Sequence, residues 1–484
     1  MTISRRKILS GLGITTTILL SPLQLFATSL KEKIETFRDT LNGKLITRND
    51  KNYELTRLSS VWQQVKPKQF PDCIVQAKNV DDVVAAVNFA RTNHKQISIR
   101  CGGHSYYSSF LQNDKLMLDV SSLREVSIDT GKRQARVQVA MRSVDFMAEI
   151  AKHGFSFPAA HCGNVPLGGF LLGGGAGWNG EAWGGMSCFN ISEVEVVTAQ
   201  GQLIRANAEQ NSDYYWAARG ARPNFFGVVT EFVLDLYAEP KVILTTTLIW
   251  EVSRAKDVAD WLEAHIRSMP ENVEALFILT QNPDPKHEAG EERVCIVQVS
   301  AFSDTEAEAR QALAPLSSSA MTDDCLAKTE YASTPIASLY EWDAMAYPQW
   351  RWDVDHLWSD DSAGDVVEKV IQHTRDMPST RSSILLLLKP HTKELPDAAF
   401  SMIGSLYIAC YAIWGSPDED IPNNNWVKKT MTLLKENTKG HYVNESNYAD
   451  NPERARGSFS AESLQKLKRL SSKHDPEHLF HSYL

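Results

Sequence analysis

HCGNVPLGGFLLGGGAGWNGEAWGG, residues His161–Gly185, is the stretch on which the fold assignment turns. From Cys162 onward it packs ten glycines into 24 residues. A packed helix is not expected from such a run, because each glycine costs a helix interior roughly 0.5–1 kcal/mol against alanine. Glycine at this density suits main chain that takes positive φ or passes close to another body. A large ligand lying against bare backbone is therefore expected here. Gly175, Gly177 and Gly180 spell G-x-G-x-x-G, with Glu195 twenty residues after the first of them. That dinucleotide pattern needs a strand before it and an apolar-periodic helix after it. EAWGG follows instead, so a nicotinamide domain is rejected. His161 and Cys162 have no second ligand pair at metal spacing, and no metal site is expected.

Working outward toward the N-terminus, RCGGHSY (Arg100–Tyr106) closes a predicted strand, ISIR (Ile97–Arg100). Ligands commonly meet an α/β sheet at such strand ends. Backbone N–H groups at Gly102 and Gly103, with the charge of Arg100, suit a pyrophosphate; a tight turn explains the same letters. Upstream, CIVQA (Cys73–Ala77) reads as a buried strand. Asn79 then caps a helix with Val80, Val83, Val84 and Val87 at helical spacing, Asp82 completing a capping-box variant. The opening is thus a βαβ unit. LMLDVS (Leu116–Ser121) and ARVQVA (Ala135–Ala140) continue as strands before a helix over Val144–His153, and VEVVTA (Val194–Ala199) and FGVVTEFVLDLY (Phe226–Tyr237) are strands beyond the glycines.

From Pro240 the texture changes to strands interleaved with acidic amphipathic helices, an α+β pattern. LTTTLIW (Leu244–Trp250), SILLLLK (Ser383–Lys389) and SLYIACYAIW (Ser405–Trp414) are the strands, with a helix over Val258–Met269. In YPQWRWDVDHLW (Tyr347–Trp358), period-two alternation offers Arg351, Trp352 and Asp353 to a substrate, and a plain amphipathic strand fits equally. The chain ends in a polar, aromatic block from His441 that closes on HDPEHLF, a turn and a hydrophobic anchor.

The 484 residues, 43% hydrophobic and 23% charged, describe an ordinary globular protein long enough for several folding units. A net charge of −9 excludes a nucleic-acid partner, since no basic stripe exists to displace phosphate counterions. SRRKIL (Ser4–Leu9) matches a twin-arginine signal, and no charge occurs from Ile8 to Leu30. A leader over residues 1–28 and a periplasmic or secreted location follow as expectations. Thr15, Thr16, Thr17 and Pro22 dilute its apolar run, and no integral membrane domain is expected beyond it. Seven cysteines without a CxxC leave at least one thiol outside any internal disulfide.

RxGGH, HCxxVxLGGxxxGGGxG, FFGVVTEF (Phe225–Phe232), YVNExxY (Tyr442–Tyr448) and KHDPEHLF occur in order over nearly everything after the leader. Together they resemble the berberine bridge enzyme-like branch of the vanillyl-alcohol oxidase and p-cresol methylhydroxylase (PCMH) flavoproteins. The resemblance implies an α+β fold: a two-lobed PCMH-type FAD-binding domain over residues 66–239, a substrate domain with an antiparallel sheet over 240–440, and a C-terminal segment, 441–484, returning to the FAD domain. It implies FAD bonded to His104 through the 8α carbon and to Cys162 through C6. Further cofactor contacts are implied at Arg100, Gly102, Gly103, Ser105, Val165, Gly168, Gly169, Gly173, Gly174, Gly175, Val229 and Asn444. Tyr106, Tyr442 and Glu445 are the implied catalytic trio. Glu445 departs from the family, where a tyrosine often follows the asparagine, and Phe170 and Ala176 replace a frequent histidine and tyrosine. Val165 takes the place that gates oxygen in relatives, and valine there implies an oxidase of an alcohol, sugar or amine that releases hydrogen peroxide. A dehydrogenase serving a quinone or protein acceptor and a non-catalytic flavin carrier remain as alternatives.

Overall fold

A computed structural model describes residues 32–283, 293–346, 348–389, 394–448 and 450–484. The proposed leader and Tyr347 lie outside the described residues. Two compact units make up the chain, 1–41 and 42–484. Of the first, a helix over 32–40 is described; the second contains three main sheets.

The first sheet comprises β1 (Lys44–Thr47), β2 (Cys73–Gln76), β3 (Ile97–Arg100) and β4 (Leu116–Asp119), in the order β1-β2-β4-β3. Helix α1 (Val80–Thr92) crosses from β2 to β3. β2 and β3 both run parallel to β4, which is inserted between them, so the expected βαβ unit is split by a later strand. Asn79 caps α1 by accepting from the Asp82 N–H at 3.1 Å. Asp82 departs from the capping box: its carboxylate accepts from the N–H groups of Lys78 and Asn42 at 2.8 and 2.7 Å, tying the helix start to the strand before it. Ile74, Val83, Val87, Ile97 and Leu118 are wholly buried, each contributing roughly 1.5–3 kcal/mol.

The second sheet comprises β5 (Val126–Asp129), β6 (Gln134–Gln138), β7 (Ile191–Thr198), β8 (Leu203–Ala206) and β9 (Gly227–Asp235), in the order β5-β6-β9-β7-β8. Between β6 and β7 the glycine-rich stretch forms a helix after all, α2 (Leu167–Leu172). Pro166 starts it from an extended conformation, and Leu167, Phe170 and Leu171 bury one face. Its glycines allow contact rather than prevent helicity: a Cβ on Gly168 would lie 3.0 Å from Val139 and 3.1 Å from the Cys101 sulfur. The helix precedes G-x-G-x-x-G instead of following it, and Glu195 is occupied on β7 with Thr230, 2.9 Å away. Both observations agree with rejecting a nicotinamide site.

The third sheet is wholly antiparallel: β10 (Val242–Glu251), β11 (Val273–Gln281), β12 (Arg293–Ser303), β13 (Ala327–Ser333), β14 (Arg351–Ser359), β15 (Ser383–Leu388) and β16 (Leu406–Trp414), in the order β13-β10-β12-β11-β15-β16-β14. Period-two alternation divides its central strands. Ala275, Phe277, Ile384, Leu386, Ile408 and Cys410 pack in one core with residues of α3 (Ala255–Ile266), α4 (Glu306–Ser317), α5 (Ala363–Thr374) and α6 (Asp420–Leu433). Leu276, Ile278, Leu385, Leu387, Tyr407 and Tyr411 alternate with them and face a cleft. The register stacks these residues across strands, Leu276 opposite Leu387 and Leu387 opposite Tyr407.

At the far end of the chain, Phe480 bridges Ile97 in parallel, and the His481 N–H donates to the Ile97 carbonyl at 2.8 Å. The C-terminal segment thus returns to the first sheet beside β3.

Candidate active site

One cleft brings the two ends of the chemistry together. His104, from the loop after β3, and Cys162, from the turn before α2, both line it. Its empty volume, counted with the open mouth, is about 2230 Å³. The His104 loop leans on the Cys162 turn: a Cβ on Gly102 would stand 2.3 Å from the Pro166 ring. The His104 imidazole stacks on Trp62 with centroids 4.9 Å apart. Burial, reinforced by the Arg100 charge, pulls its pKa down to about 4. At neutral pH the ring is therefore uncharged and carries a nucleophilic lone pair. The seven cysteines form no disulfide.

Several expected contacts are redistributed. Gly102, Gly103, Ser105, Val165, Gly168, Gly169, Val229 and Asn444 line the cleft. Arg100 does not: its guanidinium pairs with Asp119 at 3.0 Å and donates to the Ser60 carbonyl, so its charge braces the loop. Gly173, Gly174 and Gly175 also lie outside the cleft wall, because side chains fill the space their Cβ atoms would take. Asn444 Oδ1 is 2.0 Å from that position at Gly173, Phe400 2.6 Å at Gly174 and Phe170 2.8 Å at Gly175.

Arg351 and Asp353, expected to meet substrate, are absent from the wall as well. Arg351 makes a bidentate pair with Asp420 at the start of α6, 2.6 Å on each arm, and Asp353 accepts from the Tyr107 hydroxyl at 2.8 Å. Strand β14 exists as predicted but forms the sheet edge, and β11, β15 and β16 supply the cleft face. Trp352 packs behind that wall, 5.7 Å from Tyr106 and 5.5 Å from Trp62.

The C-terminal block contributes the remaining side. Tyr442 Oη accepts from the N–H groups of Gly175 and Ala176 and from Asn444 Nδ2, each at 3.0 Å. This phenol pins the C-terminal block to the glycine-rich segment, and desolvation raises its pKa. His356, on β14, lies behind it: Nδ1 accepts from the Tyr442 N–H at 3.3 Å, and Nε2 meets the Ser446 hydroxyl at 3.2 Å. Burial holds His356 neutral, its pKa well below the usual imidazole range. Glu445 projects from the resulting turn, its carboxylate accepting from the hydroxyls of Tyr407 and, at 3.1 Å, Tyr411. Burial raises the Glu445 pKa despite those bonds.

Two further groups in the wall, Arg222 and His161, carry information that the motifs did not. Arg222 lines the cleft, Nη1 donating to Asn444 Oδ1 at 2.9 Å, and desolvation lowers its pKa. Among the described residues no carboxylate lies within ion-pair distance of it. His161 is held by Glu274, 2.8 Å from Nε2, while Glu274 also accepts from the Asn179 N–H. No motif marks Arg222; for Tyr407 and Tyr411 the signal was available, since tyrosines four apart in a strand share one face.

Whether FAD suits this cleft can be judged from its polar inventory. A desolvated guanidinium without a carboxylate needs an anion, and the buried atoms Ser98 Oγ and His481 Nε2, from cleft-lining residues, have no hydrogen-bond partner. With glycine backbone between a neutral imidazole and a thiol, this inventory fits an anionic dinucleotide carrying a reactive ring. Fold and site define a flavoprotein.

Comparison with known proteins agrees. A model of the FAD-binding domain family matches residues 71–207. An FAD-linked oxidoreductase of Penicillium crustosum is 30% identical over 448 residues, covering 91% of this chain and 96% of that protein. The crystal structure of 6-hydroxy-D-nicotine oxidase from Arthrobacter nicotinovorans superposes with a TM-score of 0.79 at 21% identity, over 92% of this chain and 98% of that one. Wild-type Phl p 4, described as a glucose dehydrogenase, superposes at 0.76 and 17% identity over 90% and 95%; an isoleucine-to-valine variant of it is described as a glucose oxidase. The chain belongs to the FAD-linked oxidoreductases, and it shares the fold of berberine bridge enzyme from Eschscholzia californica, with a TM-score of 0.78 at 15% identity over 94% of this chain and 98% of that one.

Proposed function

We propose that this protein is an oxidase of a small organic molecule, with FAD bonded at His104 and Cys162 and oxygen as the electron acceptor. The observation that carries the reading is the convergence of a neutral imidazole and a thiol on one cleft that also holds Arg222, which has no carboxylate partner among the described residues. When bound, FAD supplies the hydride acceptor. His104 and Cys162 hold it, Arg222 offers its anionic part a cation, and Tyr442 pins the C-terminal block to the glycine-rich segment that follows Cys162. Glu445 is the base that takes the substrate proton, its carboxylate aimed by Tyr407 and Tyr411. Tyr106, set edge-on to Trp62 and tilted against Trp352, bounds the substrate side. Val165 lines the cleft three residues after Cys162. The described change of Phl p 4 from dehydrogenase to oxidase on replacing isoleucine by valine supports a small side chain there as permissive for oxygen.

Acid precipitation of protein made in a flavin-replete host is expected to leave the yellow colour in the pellet, with flavin mass on the peptides containing His104 and Cys162. Colour wholly in the supernatant would remove the bicovalent reading. Reduced enzyme is expected to reoxidise in air with peroxide release; reoxidation by quinones or dyes alone would make it a dehydrogenase. Export through the SRRKIL signal belongs to the same proposal, and loss of the protein from the periplasm or medium on replacing Arg5 and Arg6 by lysine is the expected result.

A further inference from the structure

Resting on the oxidoreductase reading above, we propose that the substrate is an amine, recognised as a cation by Glu445 inside an aromatic pocket. Glu445 is the one acidic residue among those lining the cleft. Its hydrogen-bond partners are the Tyr407 and Tyr411 hydroxyls, and among the described residues no lysine, arginine or histidine reaches it at ion-pair distance. Phenols orient a carboxylate without neutralising it. A desolvated carboxylate lacking a counter-cation is costly unless a ligand brings one.

The surroundings favour the same ligand. Tyr106, Tyr407, Tyr411 and Trp62 line the cleft with Glu445, and Trp352 closes the layer behind them, 6.4 Å from Tyr411. Aromatic faces attract alkylammonium groups, most strongly where water is excluded. Beside them Leu276 and Leu387 form an apolar wall that suits the carbon skeleton of an amine and offers a polyol no hydrogen bonds. Neither of the cleft's other basic groups pairs with Glu445: Arg222 donates to Asn444 and is kept for the anionic part of the cofactor, and His161 pairs with Glu274, its charge when protonated acting on Glu445 only from beyond ion-pair distance.

The chemistry follows from the placement. A substrate ammonium cannot lose hydride from its α-carbon until its N–H proton has gone. Glu445 accepts that proton, becoming the acid and leaving the nitrogen lone pair free. The α-C–H bond then breaks with its electron pair passing to the flavin as hydride, the C–N bond becomes C=N⁺, and the substrate is oxidised by two electrons. Water converts the released iminium to a carbonyl compound and an amine, and oxygen takes up the two electrons as peroxide.

Fixed charge separates recognition from turnover. Holoenzyme would be titrated with benzyltrimethylammonium and with its uncharged isostere neopentylbenzene, following the visible absorbance of the bound flavin. The cation is expected to bind at least about tenfold more tightly, through the Glu445 charge acting with the aromatic faces, and Glu445→Gln should lower that preference at least about threefold, to what the aromatic faces alone supply. Equal affinity in the wild-type enzyme, no saturable binding of the cation, or a preference left undiminished by Glu445→Gln overturns the proposal. A protein without flavin absorbance would instead overturn the oxidoreductase reading beneath it. Flavin present and bleached anaerobically by benzyl alcohol, with no preference for the cation, leaves that reading standing and removes the amine.

Discussion

Glu445 shows what one residue changes. It occupies a place where relatives often carry tyrosine, and a carboxylic acid in desolvated surroundings titrates above its ordinary 4.5. A base works only when deprotonated, so flavin reduction should be slow at low pH and rise as pH climbs through that elevated value. Glu445→Gln should lower the reduction rate about 10²- to 10⁴-fold and abolish the acidic limb; stopped-flow bleaching across pH reads both, and an unaltered limb would move the base elsewhere. Val165→Leu tests a separate half-reaction, with reoxidation by oxygen expected to slow at least tenfold and anaerobic bleaching unchanged. That His104, Cys162 and Val165 share one cleft was legible because each sits at a fixed offset in a motif. Arg222 was not: its meaning is the absence of a carboxylate within reach, which only three-dimensional packing can establish.

Among the elements, α1 was readable end to end, since its cap and its valines follow local rules. α2 contradicted expectation because propensity prices a glycine against the unfolded chain, whereas here Gly168 allows the helix to lie on β6 and the loop after β3. Gly168→Ala should therefore destabilise despite the better propensity of alanine. Its Cβ meets Val139 at 3.0 Å, and overpacking of this kind costs about 1–3 kcal/mol. A lowered melting temperature is the expected readout, and a raised one would show that the contact relaxes. β14 failed differently: alternation located the strand, but its side chains meet α6 and the C-terminal block because the strand forms the sheet edge. Sheet order depends on long-range pairing and is not written in any local pattern. Tyr442→Phe would remove the acceptor for the Gly175 and Ala176 N–H groups, and a loss of about 1–3 kcal/mol is expected from their desolvation. Thermal melts read that loss, and an unchanged melting point would mean that water replaces the hydroxyl.

Across the whole molecule, packing three sheets and a returning C-terminus around one cleft removes histidines from water. His104, His356, His373, His441 and His481 all have pKa values depressed below 6.5, chiefly by burial, with His104 and His481 near 4. Their sign is common. Below pH 6.5 the unfolded chain binds protons at these positions while the folded chain does not, so stability is present above that value and drains away as pH falls, until the folded imidazoles themselves accept protons. The carboxylates of Asp213 and Asp420, whose pKa values are lowered from 3.8, add their loss only at more acid pH. The melting temperature should thus fall steadily from about pH 6.5 to 5, before those carboxylates matter, with protons taken up on unfolding. Calorimetry in two buffers of different ionisation enthalpy measures the proton uptake on unfolding, and a flat melting temperature across the window would show that these imidazoles are solvated.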